Sequence, residues 1–177
     1  SVVSQTNTGQ WNWRMKVEEN TLLSSHWYYG FSSIDLSNLS SISVQDSLEF
    51  SGNVYDFDIE DGNAFLPRNN GLKIINFSDP GNLTIGDYEN NLLSDQDIYI
   101  EDSKAWVSGY GGPVVLDISD PALISELGNL DLHDGGAWDI KISDSNHLYA
   151  LDAFNASIRV FDLNNFASFQ EISSISL

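Results

Sequence analysis

Hydrophobic and polar residues alternate along short stretches of the chain, and the alternation recurs four times at a nearly constant spacing. In one stretch Phe57 and Ile59 alternate with acidic residues, which predicts a β-strand with one buried face. The four copies align on one apolar residue each, with steps of 42, 41 and 42 residues: Val17, Ile59, Ile100 and Ile142. Recurrence at a fixed period of this size indicates a repeat architecture.

Each copy contains four short stretches of this kind, separated by clusters of Gly, Asn, Asp and Pro. The third stretch is the most continuously apolar, as in residues 72–77 and 114–118, which is typical of a strand covered on both faces. Pro80 and Pro121 follow these two runs, where a fixed φ and a missing N–H suit a turn. No stretch carries a sustained helical period. Four short antiparallel strands in such a repeat form the blade of a β-propeller.

We therefore predict an all-β fold, a β-propeller of four four-stranded antiparallel blades of about 42 residues each. Residues 1–177 form a single propeller domain or propeller segment, with repeats over about 11–52, 53–92, 93–136 and 137–177. Residues 1–10 suggest an extra outer strand, which gives five outer strands for four sets of inner strands. The sequence leaves open whether four blades close a ring or form part of a larger propeller.

A repeated motif covers the third strands and the turns that follow them. It reads Gly-Leu-Lys-Ile-Ile-Asn-Phe-Ser-Asp-Pro over residues 71–80 and Gly-Pro-Val-Val-Leu-Asp-Ile-Ser-Asp-Pro over residues 112–121. These runs resemble the LVIVD repeat family, whose blades carry a Gly-Leu-x-Ile-Ile-Asp-x-Ser-Asp-Pro type of signature. The resemblance extends over residues 13–177 and is strongest in the middle two repeats. It implies a secreted or cell-surface β-propeller without an assigned reaction.

The charge balance is strongly acidic, with 26 Asp and Glu against seven Lys and Arg and a formal net charge of −19. This excludes nucleic acid as a partner, because basic residues supply that affinity, and it disfavours anionic membranes. No apolar stretch reaches the roughly 18–20 residues of a membrane helix, so we expect no membrane insertion. The acidic residues are spread over all repeats, which indicates a role in solubility, as in a saline habitat. Binding of Ca²⁺ or a cationic partner is the alternative.

The sequence assigns no catalytic residues. Cysteine is absent, which excludes disulfides and thiolate chemistry, and the HExxH, GxSxG, Walker and GxGxxG patterns do not occur. The acidic run over residues 56–62 is the closest approach to a calcium loop, but it lacks the DxDxDG spacing. We therefore expect no cofactor, with a calcium site as the alternative. A hydrolase or lyase would need carboxylates or histidine clustered in the central channel.

The predicted binding surface is the propeller face where two sets of loops emerge together. The loops that enter the innermost strands contain Trp13, Tyr55 and Trp138, an aligned column that also suits packing between sheets. The loops between second and third strands contain the other candidates: His26, Trp27, Tyr28, Tyr29, Arg68, Asn69, Tyr110 and Phe154. Aromatic side chains beside amide groups suit a ligand or partner site. The run 26–29 is the stronger candidate, because the other repeats lack it.

These observations predict an extracellular or cell-surface scaffold without enzymatic activity that binds protein or carbohydrate. A structural subunit that self-associates through open blade edges is one alternative, since an uncovered edge strand invites pairing. A propeller hydrolase or lyase with a channel site is the other. The fold alone does not choose among them, because propellers serve many unrelated functions.

Overall fold

A computed structural model of the chain describes residues 2–27, 30–68, 71–89, 97–109, 111–130, 132, 136–143, 146–164 and 169–177. Across these residues the regular structure is all β, with sixteen strands in four antiparallel sheets of four. The predicted fold class is thereby confirmed at the level of its sheets. Over the same ranges, no helical segment has the length and apolar character needed to cross a bilayer.

The strands of each sheet are neighbours in chain order, so every pair is joined as a hairpin. The first sheet contains β1 (Asn12–Glu18), β2 (Thr21–His26), β3 (Gly30–Asp35) and β4 (Ser43–Leu48). The second contains β5 (Asp58–Glu60), β6 (Asn63–Arg68), β7 (Gly71–Asn76) and β8 (Thr84–Glu89). The third contains β9 (Ile98–Glu101), β10 (Lys104–Val107), β11 (Val114–Asp117) and β12 (Ser125–Asn129). The fourth contains β13 (Ala137–Ser143), β14 (His147–Asp152), β15 (Ser157–Asp162) and β16 (Gln170–Ser176).

The aligned apolar column occupies one position in all four sheets. Each of its members lies on the first strand, opposite an apolar residue of the second: Val17 and Leu22, Ile59 and Ala64, Ile100 and Ala105, Ile142 and Leu148. Acidic residues form the tight turns between these strands in three sheets, with positive φ at Glu19, Asp61 and Asp102. Hairpin turns of two residues need such a left-handed backbone, so these carboxylates have a structural reason to recur.

The described residues form three hydrophobic clusters between consecutive sheets, which stack the sheets face to face. Leu23 and Phe31 of the first sheet pack with Phe57 and Ile75 of the second. Phe65 of the second sheet belongs to the next cluster, and Trp106 of the third sheet belongs to the cluster shared with the fourth. The second and third sheets are therefore covered on both faces, as their apolar third strands predicted.

The two end faces of the stack are open to solvent. On the first sheet Met15 and Val17 are 71% and 58% exposed, and on the fourth sheet Tyr149 and Ile175 are 40% and 62% exposed. In a ring closed by four sheets these faces would cover each other. The described blades therefore form an open stack, and the choice between a four-bladed ring and part of a larger propeller stays a prediction.

Residues 2–10 belong to none of the four sheets, yet they occupy a defined place on the open face of the first. Ile42 N–H donates to Ser4 Oγ at 3.2 Å. One repeat later, Leu83 N–H donates to Asp46 Oδ2 of the preceding β4 at 2.8 Å. Ser4 thus takes the position of a fourth-strand residue in a sheet that would precede the first. The predicted extra outer strand stays a prediction, because residues 2–10 are not assigned to a strand.

Candidate functional site

Four aromatic residues, Trp11, Trp13, Trp27 and Tyr55, meet where the first two sheets adjoin, and we call them the aromatic cluster. Trp13 lies on β1, and Trp27 follows β2 directly. Trp27 N–H donates to Trp11 O at 3.0 Å, which joins the two kinds of loop as expected. The rings of Trp13 and Trp27 have centroids 4.1 Å apart, and those of Trp27 and Tyr55 5.4 Å apart. Both pairs are edge-to-face, the arrangement favoured by ring quadrupoles.

Hydrogen bonds across the sheet boundary fix this cluster. Trp13 Nε1 donates to Tyr55 O at 3.0 Å, and Asn53 Nδ2 donates to the Tyr55 hydroxyl at 2.8 Å. The Arg14 guanidinium lies 5.8 Å from the Trp13 ring centroid, within range of a cation–π contact. Trp13 and Tyr55 therefore help to join the two sheets, while Trp13 stays 45% exposed. They combine the packing role and the accessibility that the sequence presented as alternatives.

An open cavity of about 590 Å³ lies beside the cluster, lined by Trp11, Asn12, Trp13 and Trp27. Trp11 is 82% exposed. The Asn12 Oδ1 atom accepts hydrogen bonds from Thr8 and Ser24. These bonds fix the orientation of the amide group, in which Nδ2 is the donor. Apolar walls with a few oriented polar groups are the general composition of a small-ligand site.

His26 lies beneath the surface rather than in the cavity. It is the last residue of β2 and 3% exposed, with Nε2 3.1 Å from Ser32 Oγ. Burial lowers the pKa of His26, because the charged imidazolium loses hydration. Within the part of the chain that the structure describes, its Nδ1 atom has no hydrogen-bond partner. His26 is therefore not one of the residues that line the cavity.

The other predicted residues lie elsewhere on the second and fourth sheets or outside the described residues. The Arg68 guanidinium lies 5.8 Å from the Phe50 ring centroid. Trp138 and Phe154 are 49% and 56% exposed and belong to the fourth sheet. Four predicted positions fall outside the described residues: Tyr28, Tyr29, Asn69 and Tyr110.

Three carboxylates form a second constellation along the innermost strands, and we call Asp56, Asp97 and Asp139 the carboxylate row. Ile98 N–H donates to Asp56 Oδ2 at 3.3 Å, and Ile140 N–H donates to Asp97 Oδ2 at 3.3 Å. Each of these two acids thus satisfies an edge N–H of the next sheet. In the first sheet Arg14 takes the equivalent position, with Nε 3.4 Å from Asp56 Oδ1.

Asp97 lies between the other two carboxylates of the row, and its pKa is strongly raised. Burial raises the pKa of Asp97 to about 8, assisted by hydrogen bonds with Asp56 and Asp139 and by the charge of Asp56, while Lys141 opposes the rise. Burial also works against the charge on Asp139, but hydrogen bonds with Lys141 and Asp97 hold the pKa of Asp139 below its ordinary value. Perturbed carboxylates can mark a functional site, but here backbone hydrogen bonds between sheets explain why the row exists.

Comparison with known proteins shows the fold. The chain matches the computationally designed Ika8 protein with a TM-score of 0.70 at 14% identity, over 91% of this chain and 48% of that one. It matches a protein from Lactobacillus plantarum with a TM-score of 0.75 at 12% identity, over 90% and 54%. The four sheets are the blades of a β-propeller. The chain spans about half the length of both similar structures.

No family model and no curated protein matches the chain. The resemblance of the blades to the LVIVD repeat family therefore stays a prediction from the motif. At these identities the two solved structures are similar in fold, and the function has to be inferred from the residues of the blades themselves.

The calcium alternative also stays untested. Among the described residues of the blades, no group of three or more His, Asp or Glu is arranged to hold a metal ion. In the acidic run of the second blade, Asp58 accepts from Lys16 Nζ at 2.6 Å and from Ile100 N–H at 2.9 Å. Asp61 and Gly62 form the turn with φ values of 48° and 72°. The structure of the propeller thus accounts for this run without a cation.

Trp11 and Asn12 are the cavity residues that sequence reasoning missed. They precede the aligned column that contains Trp13, so comparison of the blades did not select them. The signal was nevertheless present as Trp-Asn-Trp at residues 11–13. In an extended segment alternate residues point to one side, which would have grouped Trp11 with Trp13.

Proposed function

We propose that this four-bladed unit is a binding module without enzymatic activity, and that its aromatic cluster holds a sugar ring of a carbohydrate. The observation that carries the proposal is the open cavity of about 590 Å³ with three tryptophans in its wall. The C–H faces of a pyranose are apolar and pack on an indole ring, while its hydroxyl groups need oriented partners. The amide of Asn12 supplies such a partner beside the rings.

The charge of the protein narrows the ligand class. A net charge of −19 repels anionic polysaccharides, so the proposed ligand is a neutral glycan. A peptide segment is the second candidate, because tryptophans in a desolvated pocket also anchor protein partners. The proposal includes an extracellular or cell-surface location, supported by the resemblance of residues 71–80 and 112–121 to the LVIVD repeats.

Replacing Trp11 with alanine tests this site. We expect about tenfold weaker binding of a neutral oligosaccharide that the protein binds, since loss of an anchoring aromatic costs roughly 1–2 kcal/mol. The melting temperature should stay within about 1 °C of the parent value, because Trp11 is 82% exposed. A panel of neutral oligosaccharides is titrated by calorimetry, with quenching of tryptophan fluorescence as a second readout.

Trp138→Ala is the matched control, because Trp138 is an exposed tryptophan of the fourth blade. Its affinity should equal that of the parent protein. Equal weakening by both substitutions would contradict a site at the aromatic cluster, and an absence of binding across the whole panel would contradict the carbohydrate. Turnover of a panel member would instead support the hydrolase or lyase alternative and direct attention to the carboxylate row.

A further inference from the structure

The open end faces of the propeller are the two halves of an ordinary blade interface. The first-blade face is a row of apolar residues in register across its strands: Met15, Val17, Leu22 and Ile34. Of these, Ile34 is only 1% exposed, so the open part of the face is centred on Met15 and Val17. The fourth-blade face is a corresponding apolar surface: Tyr149, Leu151, Ile158, Val160 and Ile175. Each end face therefore carries apolar residues at the positions that pack between neighbouring blades inside the stack.

Equivalent residues are buried wherever two blades meet. Phe57 occupies in the second blade the position of Met15 in the first, and it is fully buried while Met15 is 71% exposed. Phe65 and Trp106 occupy the position of Tyr149, and they are 1% and 3% exposed while Tyr149 is 40% exposed. The end faces thus carry the residue types of the internal interfaces but lack the covering sheet. Burial of such surface is the main favourable term in association.

The two ends also carry the acceptor and the donor of a hydrogen bond between blades. Asp56 and Asp97 accept the backbone N–H one blade further on. In the fourth blade the equivalent carboxylate is Asp139, whose side chain is 51% exposed. The N–H that it would accept in a following blade is that of Met15. A hydrogen bond from the Met15 N–H to Asp139 would therefore match the two that Asp56 and Asp97 already accept inside the stack.

We propose that a second copy of this chain covers both end faces, so that two copies close one ring with four blades from each. The first-blade face of each copy packs on the fourth-blade face of the other, and a twofold axis makes the two junctions identical. The shares of 48% and 54% covered in the similar structures fit a propeller built from two units of this size.

The N-terminal segment, residues 2–8, occupies part of the place that the second copy takes. Gln5, Thr6 and Thr8 line a groove with Met15 and Leu22 of the first-blade face. Ser4 accepts the Ile42 N–H in the position of a fourth-strand residue. In the closed ring the equivalent residue is Ser173, on β16 of the second copy. Its hydroxyl replaces that of Ser4, and the segment moves aside.

Salt is expected to favour this association. Each copy carries a net charge of −19, so the two copies repel, while the surfaces that meet are mainly apolar. Screening reduces the repulsion, since the Debye length falls from about 10 Å at 0.1 M salt to about 3 Å at 1 M. An assembly held by exposed ion pairs would weaken instead.

Sedimentation velocity and light scattering of the full chain at 0.1 M and 1 M NaCl test the proposal. We expect a species of twice the chain mass of 19.6 kDa, with a fraction that rises with protein and salt concentration. Met15→Glu and Leu151→Glu should each shift the dissociation constant upward by at least tenfold, because each buries a charge at both junctions. Leu123→Glu is the control, since Leu123 is 75% exposed on a turn away from both faces.

Three results would overturn the closed two-copy ring: a monomer at all concentrations in 1 M NaCl, a ladder of species larger than two copies, or retained association in both face variants. A melting scan of each variant in 0.1 M NaCl separates lost association from lost folding. Removal of residues 1–8 provides a second measurement. It should strengthen association several-fold, because the Ile42 N–H is then free to donate to Ser173 of the second copy. Weakened or unchanged association would contradict the displacement.

Discussion

Gly71→Ala is expected to lower the free energy of unfolding by about 2–3 kcal/mol, a large effect for a single added methyl group. Gly71 begins β7 and is paired with Glu89 of β8. A Cβ at this position would collide with the carbonyl oxygen of Tyr88, which belongs to the backbone of the adjacent strand. Because that oxygen cannot rotate away, β7 and β8 would have to separate.

The same close approach occurs at Gly30, which begins β3 of the first blade, and at Gly112, two residues before β11 of the third. Gly86→Ala is the control, because Gly86 lies on β8 and no heavy atom of the described residues is within 4 Å of its added Cβ. Urea unfolding followed by circular dichroism measures both variants. Equal stability of the two variants would show that the strands relax at no cost, and the close approach would then not explain the recurring glycine.

Asp97→Asn is expected to make the protein more stable than its parent above pH 8 and about equally stable near pH 4. In the folded chain burial raises the pKa of Asp97 to about 8, whereas an unfolded aspartate has a pKa of about 3.9. Between these values the folded state retains a proton that the unfolded state releases. Stability therefore falls as pH rises through this window, by roughly 2–5 kcal/mol in total.

An asparagine at position 97 can preserve the hydrogen bonds while removing the charge, together with the ion pair to Lys141 Nζ at 3.5 Å. Its amide oxygen can accept from Ile140 N–H, and its amide nitrogen can donate to Asp56 or Asp139. Melting temperatures across pH 4–9 measure the effect. Glu49→Gln controls for the general relief of negative charge, since Glu49 is an exposed carboxylate that follows β4. If the melting temperature of the Asp97→Asn variant changes with pH as that of the parent does, Asp97 is ionised throughout this range.

The blades could be predicted because their determinants are local. Alternation with a period of two residues and turns rich in Asp, Asn and Gly are encoded within about 40 neighbouring residues, as in the strand around Ile59. The open ends could not be predicted, because the angle between successive sheets arises from packing across the whole stack. Met15 carries no mark in the sequence that distinguishes it from buried Phe57, since both are apolar residues in an alternating strand.

Part of the candidate site could be predicted, because the positions of its loops follow from the same local repeat pattern. Trp13, Trp27 and Tyr55 were selected from loop positions, and the structure brings them together. His26 was selected from the same run, but it is the last residue of β2 and is buried beside Ser32. The environment of Asp97 depends on carboxylates from three blades, a proximity that strand patterns do not encode.

The aromatic cluster spans the boundary between two blades, and this position couples ligand affinity to the curvature of the propeller. Trp27 extends from the first blade, and Tyr55 precedes the inner strand of the second. A change in the angle between these blades would open or narrow the gap between their rings. A ligand held there would therefore favour one curvature, and closure of a ring would in turn preset the affinity for the ligand. By thermodynamic reciprocity each event would strengthen the other by the same factor.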